Sequence, residues 1–201
     1  MGHKFHHQFQ QQNLFSINSK HRYSHGGVLR QLRKGRGVRP LSTKEPLHVV
    51  FKVNHLRLRS YSLRSAQSFS LTHKIIKKYS LRFRVKIEQL SIQKDHIHIL
   101  IRAPRRSQFQ YFFRVVAGQI AQRFEHEGLF RKVTDTPTTQ PKKGTSLWKL
   151  RPFSRVVRGF RAYKIVCDYI RLNELEVLDK IQYQKNRLRG LSSADWSLLW
   201  A

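Results

Sequence analysis

The sequence predicts an α+β fold: an antiparallel sheet with helices packed on one face, a ferredoxin- or RRM-like sandwich, preceded by a basic N-terminal arm. Apolar residues alternate with period two in several short segments, as half-buried strands require. Longer segments repeat them at spacings of three and four, the period of an amphipathic helix. In chain order these read strand, helix, strand, strand, helix, strand, helix, and runs of that kind build a sheet with helices laid against it.

Residues 1–45 stand apart and form the predicted arm. Gln8, Gln10, Gln11 and Gln12 lie among histidines, and residues 20–44 hold eight Lys or Arg and no acid, punctuated by Gly26, Gly27, Gly35, Gly37 and Pro40. Such a segment cannot bury enough apolar surface to offset its ordering entropy, so it is expected to be flexible and to order on a phosphate backbone. Its candidate phosphate-binding side chains are Arg22, Arg30, Arg33, Lys34, Arg36 and Arg39. Lys34-Gly35-Arg36-Gly37-Val38-Arg39-Pro40 is similar to Arg/Gly-rich arms that enter the minor groove, though a solvated linker reads equally well. His3, His6 and His7 read as tail composition rather than as a metal site.

The folded unit is expected over residues 46–180. Leu47-His48-Val49-Val50-Phe51-Lys52-Val53 alternates as a strand. Phe69, His73, Ile76 and Tyr79 define a helix over 65–79 whose outer face carries Lys74, Lys77 and Lys78, further candidates for DNA contact. A second strand starts with Phe83, Val85 and Ile87, and its apolar phase then flips to Leu90 and Ile92. A bulge near Glu88 and Gln89 accounts for the slip. The chain turns at Gln93-Lys94-Asp95 into a third strand. Phe109, Phe112, Phe113, Val116, Ile120, Ala121 and Phe124 mark a second helix. Residues 128–146 have no period, and Pro137, Pro141 and Gly144 predict an exposed loop. Short strand or hairpin segments flank Pro152, a third helix spans 160–178, and residues 181–201 form a C-terminal tail that either docks back on the domain or extends from it.

Charge dominates the composition. Forty Lys and Arg oppose eleven Asp and Glu in 201 residues, a formal charge of +29, and Glu45 is the sole acid among the first 87 residues. That imbalance repels itself in a compact chain and points to a polyanionic partner, nucleic acid first. No apolar run approaches the ~20 residues that span a bilayer, the N-terminus has no signal-peptide core, and no basic amphipathic helix carries a broad membrane-binding face. The single cysteine, Cys167, fits a reducing cytoplasm and reads as a small buried residue, not a nucleophile.

The chemistry-bearing residues concentrate in two places. Asp95-His96-Ile97-His98-Ile99-Leu100-Ile101 puts His96, His98 and Leu100 on one face of a strand and the isoleucines on the other. Two residues apart at about 3.3 Å per residue, the histidines lie roughly 7 Å apart at Cα, within reach of one metal ion. Strand histidines also commonly do no more than bond their neighbours. On the third helix Phe160, Tyr163, Val166, Cys167 and Ile170 form one buried stripe, at about 100° per residue. Tyr163 falls inside it as a core aromatic. Tyr169 and Asn173, at i and i+4, sit together on its flank.

The run Gln93-Lys94-Asp95-His96-Ile97-His98-Ile99-Leu100-Ile101 resembles the His-hydrophobe-His (HUH) strand of the single-tyrosine transposases, both the small insertion-sequence type and the REP-associated type. Leu147-Trp148-Lys149-Leu150-Arg151-Pro152-Phe153 resembles the family's Trp-x-x-x-x-Phe segment, and Asp168-Tyr169-Ile170-Arg171-Leu172-Asn173 resembles its Asp-Tyr-Ile-x-x-Asn-Pro motif. The ordered set covers roughly residues 46–178. Two departures stand out: Glu174 replaces the usual Pro, and Lys94-Asp95 replaces the common Pro-Asn.

The resemblance implies that His96 and His98 bind a divalent ion, Mg²⁺ or Mn²⁺, with Asn173 as third ligand and Tyr169 as nucleophile. It implies cleavage and rejoining of single-stranded, hairpin-associated DNA through a 5′-phosphotyrosine link, by a monomer or a homodimer in the cytoplasm, at the nucleoid. Exposed aromatics such as Tyr61 or Phe130 would offer stacking surfaces for bases. The competing reading is a domesticated, non-catalytic nucleic-acid-binding protein on the same sheet. A three-carboxylate nuclease is disfavoured because the acids are scattered, and Glu174, Glu176 and Asp179 read as a solvated helix face.

Overall fold

The computed structural model of the chain describes residues 22–29, 37–130 and 146–201. Its strands are β1 (Ser24–His25), β2 (Leu47–Lys52), β3 (Lys86–Ile92), β4 (His96–Arg102) and β5 (Phe153–Val156). Its α-helices are α1 (Ala66–Arg82), α2 (Arg106–His126), α3 (Phe160–Val177) and α4 (Ser193–Trp200). The strands form one antiparallel sheet in the order β1-β5-β2-β4-β3. This is the predicted α+β architecture.

β4 sets the two faces of the sheet. Ile97, Ile99 and Ile101 are fully buried and join Leu47, Val49 and Phe51 of β2 in the main core. α1 and α2 close that core with Ile75, Ile76, Phe109, Phe112, Val116, Ile120 and Phe124. The period-two and period-3.6 patterns therefore meet on one face, as the sequence predicts. At the start of α2, Gln108 Oε1 accepts a hydrogen bond from the Arg105 backbone N–H at 2.9 Å, satisfying a donor the helix leaves open. The β3–β4 register shifts between Ile87 and Gln89, so the bulge lies where the apolar phase flips.

α3 does not share the face of α1 and α2, although the sequence places all the helices on one side. It packs on the opposite face, where Ile170 joins Leu100 and Val157, with Tyr163, Val166, Cys167 and Tyr169 around them. The first two helices already fill the isoleucine side of β4, so the short stripe of α3 is buried on the apolar patch left on the other side. Phe160, read as part of that stripe, is 79% exposed because it opens the helix beyond the patch. Cys167, expected to be buried, is half-buried, and burial raises its thiol pKa, away from reactive thiolate.

The sheet takes in part of the predicted arm. Ser24 and His25 belong to the sheet rather than to a free arm, paired with Arg155 and Ser154. Gly26 allows this edge to approach closely, since its φ is +83° and a Cβ there would lie 2.1 Å from the Pro152 carbonyl oxygen. Residues 181–201 dock back as well: Ile181 and Leu199 are buried against Leu172 of α3. The predicted loop over 128–146 falls mostly on 131–145, outside the described residues. Among the described residues, no helix is long and apolar enough to cross a membrane.

Candidate active site

The register of the central strands assembles the site on the α3 face. His98 of β4 stands between Val50 of β2 and Ser91 of β3, and His96 lies opposite Lys52. The His96 and His98 rings meet edge to face, with centroids 4.7 Å apart. α3 brings the Tyr169 ring perpendicular to His98 at 5.5 Å. Two imidazoles and one phenol, separated by some seventy residues of sequence, meet on one face of the sheet.

His98 is 4% exposed, and its Nε2 is buried without a hydrogen-bond partner among the described residues. Its Nδ1 lies 3.1 Å from Nε2 of a third imidazole, His48, whose ring is nearly parallel to it with centroids 5.3 Å apart. Burial first, then the electrostatic influence of His48, His96 and Arg187, lowers the His98 pKa to about 2. Burial and Arg155 lower that of His48 to about 4. Both rings are neutral at physiological pH and keep a nitrogen lone pair. His96 Nδ1 is held by Asp95 Oδ1 at 2.6 Å. Burial alone would raise the Asp95 carboxyl; the His96 hydrogen bond and the electrostatic influence of His96, Lys52 and His55 outweigh it and hold the pKa below its usual value. Asp95 thus turns one departure from the family motif into an orienting carboxylate for the first histidine.

Asn173 is on the turn after Tyr169, as its spacing predicts, but its amide engages protein groups. Nδ2 donates to the Tyr169 carbonyl at 2.6 Å, and Oδ1 accepts from Arg187 at 2.9 Å. Arg187 also bonds both oxygens of Glu176, at 2.7 and 2.8 Å, and its guanidinium lies over the Tyr169 and Tyr183 rings. Glu174, the second departure, is a strut rather than a solvated charge. It accepts from Ser91 Oγ at 2.8 Å and from Arg64 at 2.9 Å, tying α3 to β3 and to the segment before α1.

The predicted DNA-contacting residues divide. Lys74, Lys77 and Lys78 are exposed on α1, across the sheet from Tyr169. Lys77 borders a depression of about 310 Å³ at the β3 edge, lined also by Phe69, His73, Leu90, Ile92 and Glu174. Arg22 is exposed, and Tyr61 is 46% exposed while Phe130 is half-buried against the core. Arg30, Arg33, Lys34 and Arg36 lie outside the described residues. Arg39 differs from its expected role. It donates to Ser154 Oγ at 2.5 Å and to the Pro152 carbonyl at 2.9 Å, and lies over the Phe113 ring. Burial, with Arg151 nearby, lowers its pKa to about 10, so this guanidinium is built into the fold.

His48, Asp95 and Arg187 escape a reading of local pattern. His48 shows only as a polar residue on the outward phase of its strand, and Arg187 is one basic residue among many. Asp95 had a usable signal, a carboxylate adjacent to the first histidine.

The profile of the IS200-like transposases matches residues 46–173. The chain belongs to the IS200-like transposase family. Among solved structures, this transposase-family chain resembles a REP-associated tyrosine transposase bound to a REP hairpin, at 13% identity over 74% of this chain and 77% of that chain, with a TM-score of 0.52. A protein of Deinococcus radiodurans R1 assigned as a transposase aligns at 16% identity over 66% of this chain and 92% of that chain, with a TM-score of 0.41. No curated protein is a significant match.

Among the described residues, no three His, Cys, Asp or Glu side chains converge as a metal site. The two-histidine set nevertheless suits a divalent ion. Both Nδ1 atoms are engaged, which leaves the two Nε2 atoms as ligands, and that of His98 is buried and unpartnered. Imidazole nitrogen suits Mn²⁺ better than Mg²⁺.

Proposed function

We propose that this transposase-family protein is a metal-dependent strand transferase that cleaves and rejoins single-stranded, hairpin-associated DNA through a 5′-phosphotyrosine link. The observation that carries the reading is the Tyr169 ring set perpendicular against His98, beside His96, on a sheet face backed by a +29 chain. The hairpin bound by the REP-associated relative supports the substrate class. His96 and His98 would hold Mn²⁺ or Mg²⁺, which supplies electrophilic stabilisation of a phosphate oxygen.

Tyr169 Oη attacks the scissile phosphorus as its phenolic proton passes to solvent, the P–O3′ bond breaks, and the leaving 3′ oxygen takes a proton from solvent to become a 3′-OH. The phosphodiester energy is retained in the O–P link, so an incoming 3′-OH reverses the step without a nucleotide cofactor. Arg187 keeps the phenol ring in place from the side of the tail. Asn173 follows the family's placing of a third ligand once its Oδ1 leaves Arg187. The protein acts at the nucleoid, as a monomer or a homodimer.

The test is covalent trapping. With Mn²⁺ and a hairpin oligonucleotide carrying a single-stranded flank, the wild type is expected to give an SDS-resistant protein–DNA adduct. Tyr169→Phe abolishes the adduct, and His98→Ala lowers its yield at least 100-fold. Equal adduct in both variants rules out the catalytic assignment and leaves a basic nucleic-acid binder.

A further inference from the structure

His48 has no part in the chemistry above, yet it is the buried group bonded to His98. We propose that His48 is a positioning residue that sets the tautomer of His98: its Nε2 accepts the Nδ1–H of His98, leaving the His98 Nε2 a bare lone pair for a cation. This rests on the metal-site part of the proposed function and adds to it a residue 50 positions away in sequence.

Three observations support it. The β2–β4 register pairs Val50 with His98 and His48 with Leu100, so His48 is the diagonal neighbour of His98 on the same face. The two rings are nearly parallel, 18° apart, with Nε2 and Nδ1 at 3.1 Å, so one proton is shared between them. That proton has two possible owners. If His48 carries it, His98 must carry its own proton on Nε2, and a buried donor is left without an acceptor. If His98 carries it, Nε2 is an acceptor that a metal ion satisfies, the arrangement in which a ligating imidazole donates its other N–H to an outer partner. Asp95 does the same for His96 with a carboxylate. The two ligands are thus aimed by two different partners, one charged at the half-exposed end of the strand and one neutral where it is buried.

The first of two measurements needs neither metal nor DNA. Long-range ¹H–¹⁵N correlation on uniformly ¹⁵N-labelled full-length protein reads the tautomer of each imidazole, with the His98 signals assigned by their loss in His98→Gln. The wild type is expected to show His98 protonated on Nδ1. His48→Leu, which offers no acceptor, is expected to move the proton to Nε2 or to a mixture, and to weaken Mn²⁺ binding, followed by electron paramagnetic resonance, about 10- to 100-fold. His48→Gln, whose amide oxygen accepts, recovers most of both. A His98 ring protonated on Nε2 in the wild type overturns the proposal. So does an unchanged tautomer or an unchanged Mn²⁺ affinity in a folded His48→Leu. The tautomer is read without cleavage, so failure of the Tyr169 assignment gives a different pattern from failure of this one.

Discussion

At the scale of single residues, the site is defined by which nitrogen of each ring is occupied. Asp95 takes Nδ1 of His96 and His48 takes Nδ1 of His98, which leaves the paired Nε2 atoms as the chemically useful ones. The neutrality of the buried pair has a consequence for stability. The folded pKa values of His98 and His48, about 2 and about 4, lie below the ordinary 6.5, so between those values and 6.5 the unfolded chain binds more protons. Stability from these rings is therefore complete above pH 6.5 and is lost as the pH falls below it. The expected slope is up to about 1.4 kcal/mol per pH unit for each ring. Urea unfolding at pH 7.5 and 5.5 measures it. His48→Gln should show a shallower loss on acidification than the wild type, and equal slopes would mean that His48 is not held neutral.

At the scale of elements, α3 carries Tyr169 and is anchored at several points. Ile170 packs on Leu100, Gln93 Nε2 donates to the Asn173 carbonyl at 2.9 Å, and Glu174 bridges Ser91 and Arg64. A rigid helix across the sheet keeps the phenol aligned with the histidine strand, which is how a scaffold limits the reorganisation that a reaction must drive. Glu174→Ala removes the bridge. Because Arg64 and Glu174 are both partly exposed, the loss is expected to be only about 1–2 kcal/mol. A lowered urea midpoint at pH 7 checks this, and an unchanged midpoint would show that the bridge contributes nothing. The tail is a second anchor: Arg187 reaches back to Glu176, Asn173 and the Tyr169 ring, and Ile181 and Leu199 cover Leu172.

At the scale of the whole molecule, charge and topology do different work. The +29 excess concentrates DNA at the surface without choosing a sequence. Each phosphate neutralised on a single strand contributes about −0.7 to the slope of log affinity against log salt. Replacing Arg30, Arg33, Lys34 and Arg36 together by Gln should reduce the magnitude of that slope by about 3. Fluorescence anisotropy of a labelled oligonucleotide over a salt series measures it. An unchanged slope would mean that this stretch does not touch phosphate. Arg39 is left out of the set because its guanidinium is committed to Ser154 and Pro152.

What local pattern alone determined is considerable. The alternating strand with His96 and His98 on one face, the bulge at Glu88, the amphipathic α2, and Tyr169 and Asn173 on the flank of α3 all follow from side-chain periods of two and 3.6, which act between near neighbours in the chain. Tertiary structure alone decided which face α3 covers, that His48 meets His98, that Arg187 returns to the tyrosine, and that Glu174 and Arg39 are internal struts. Those contacts join segments from 18 to 115 residues apart, and depend on the register between strands that no hairpin connects and on which apolar patch is still open. Neither quantity has a local signature, because each is settled by the packing of the whole sheet at once.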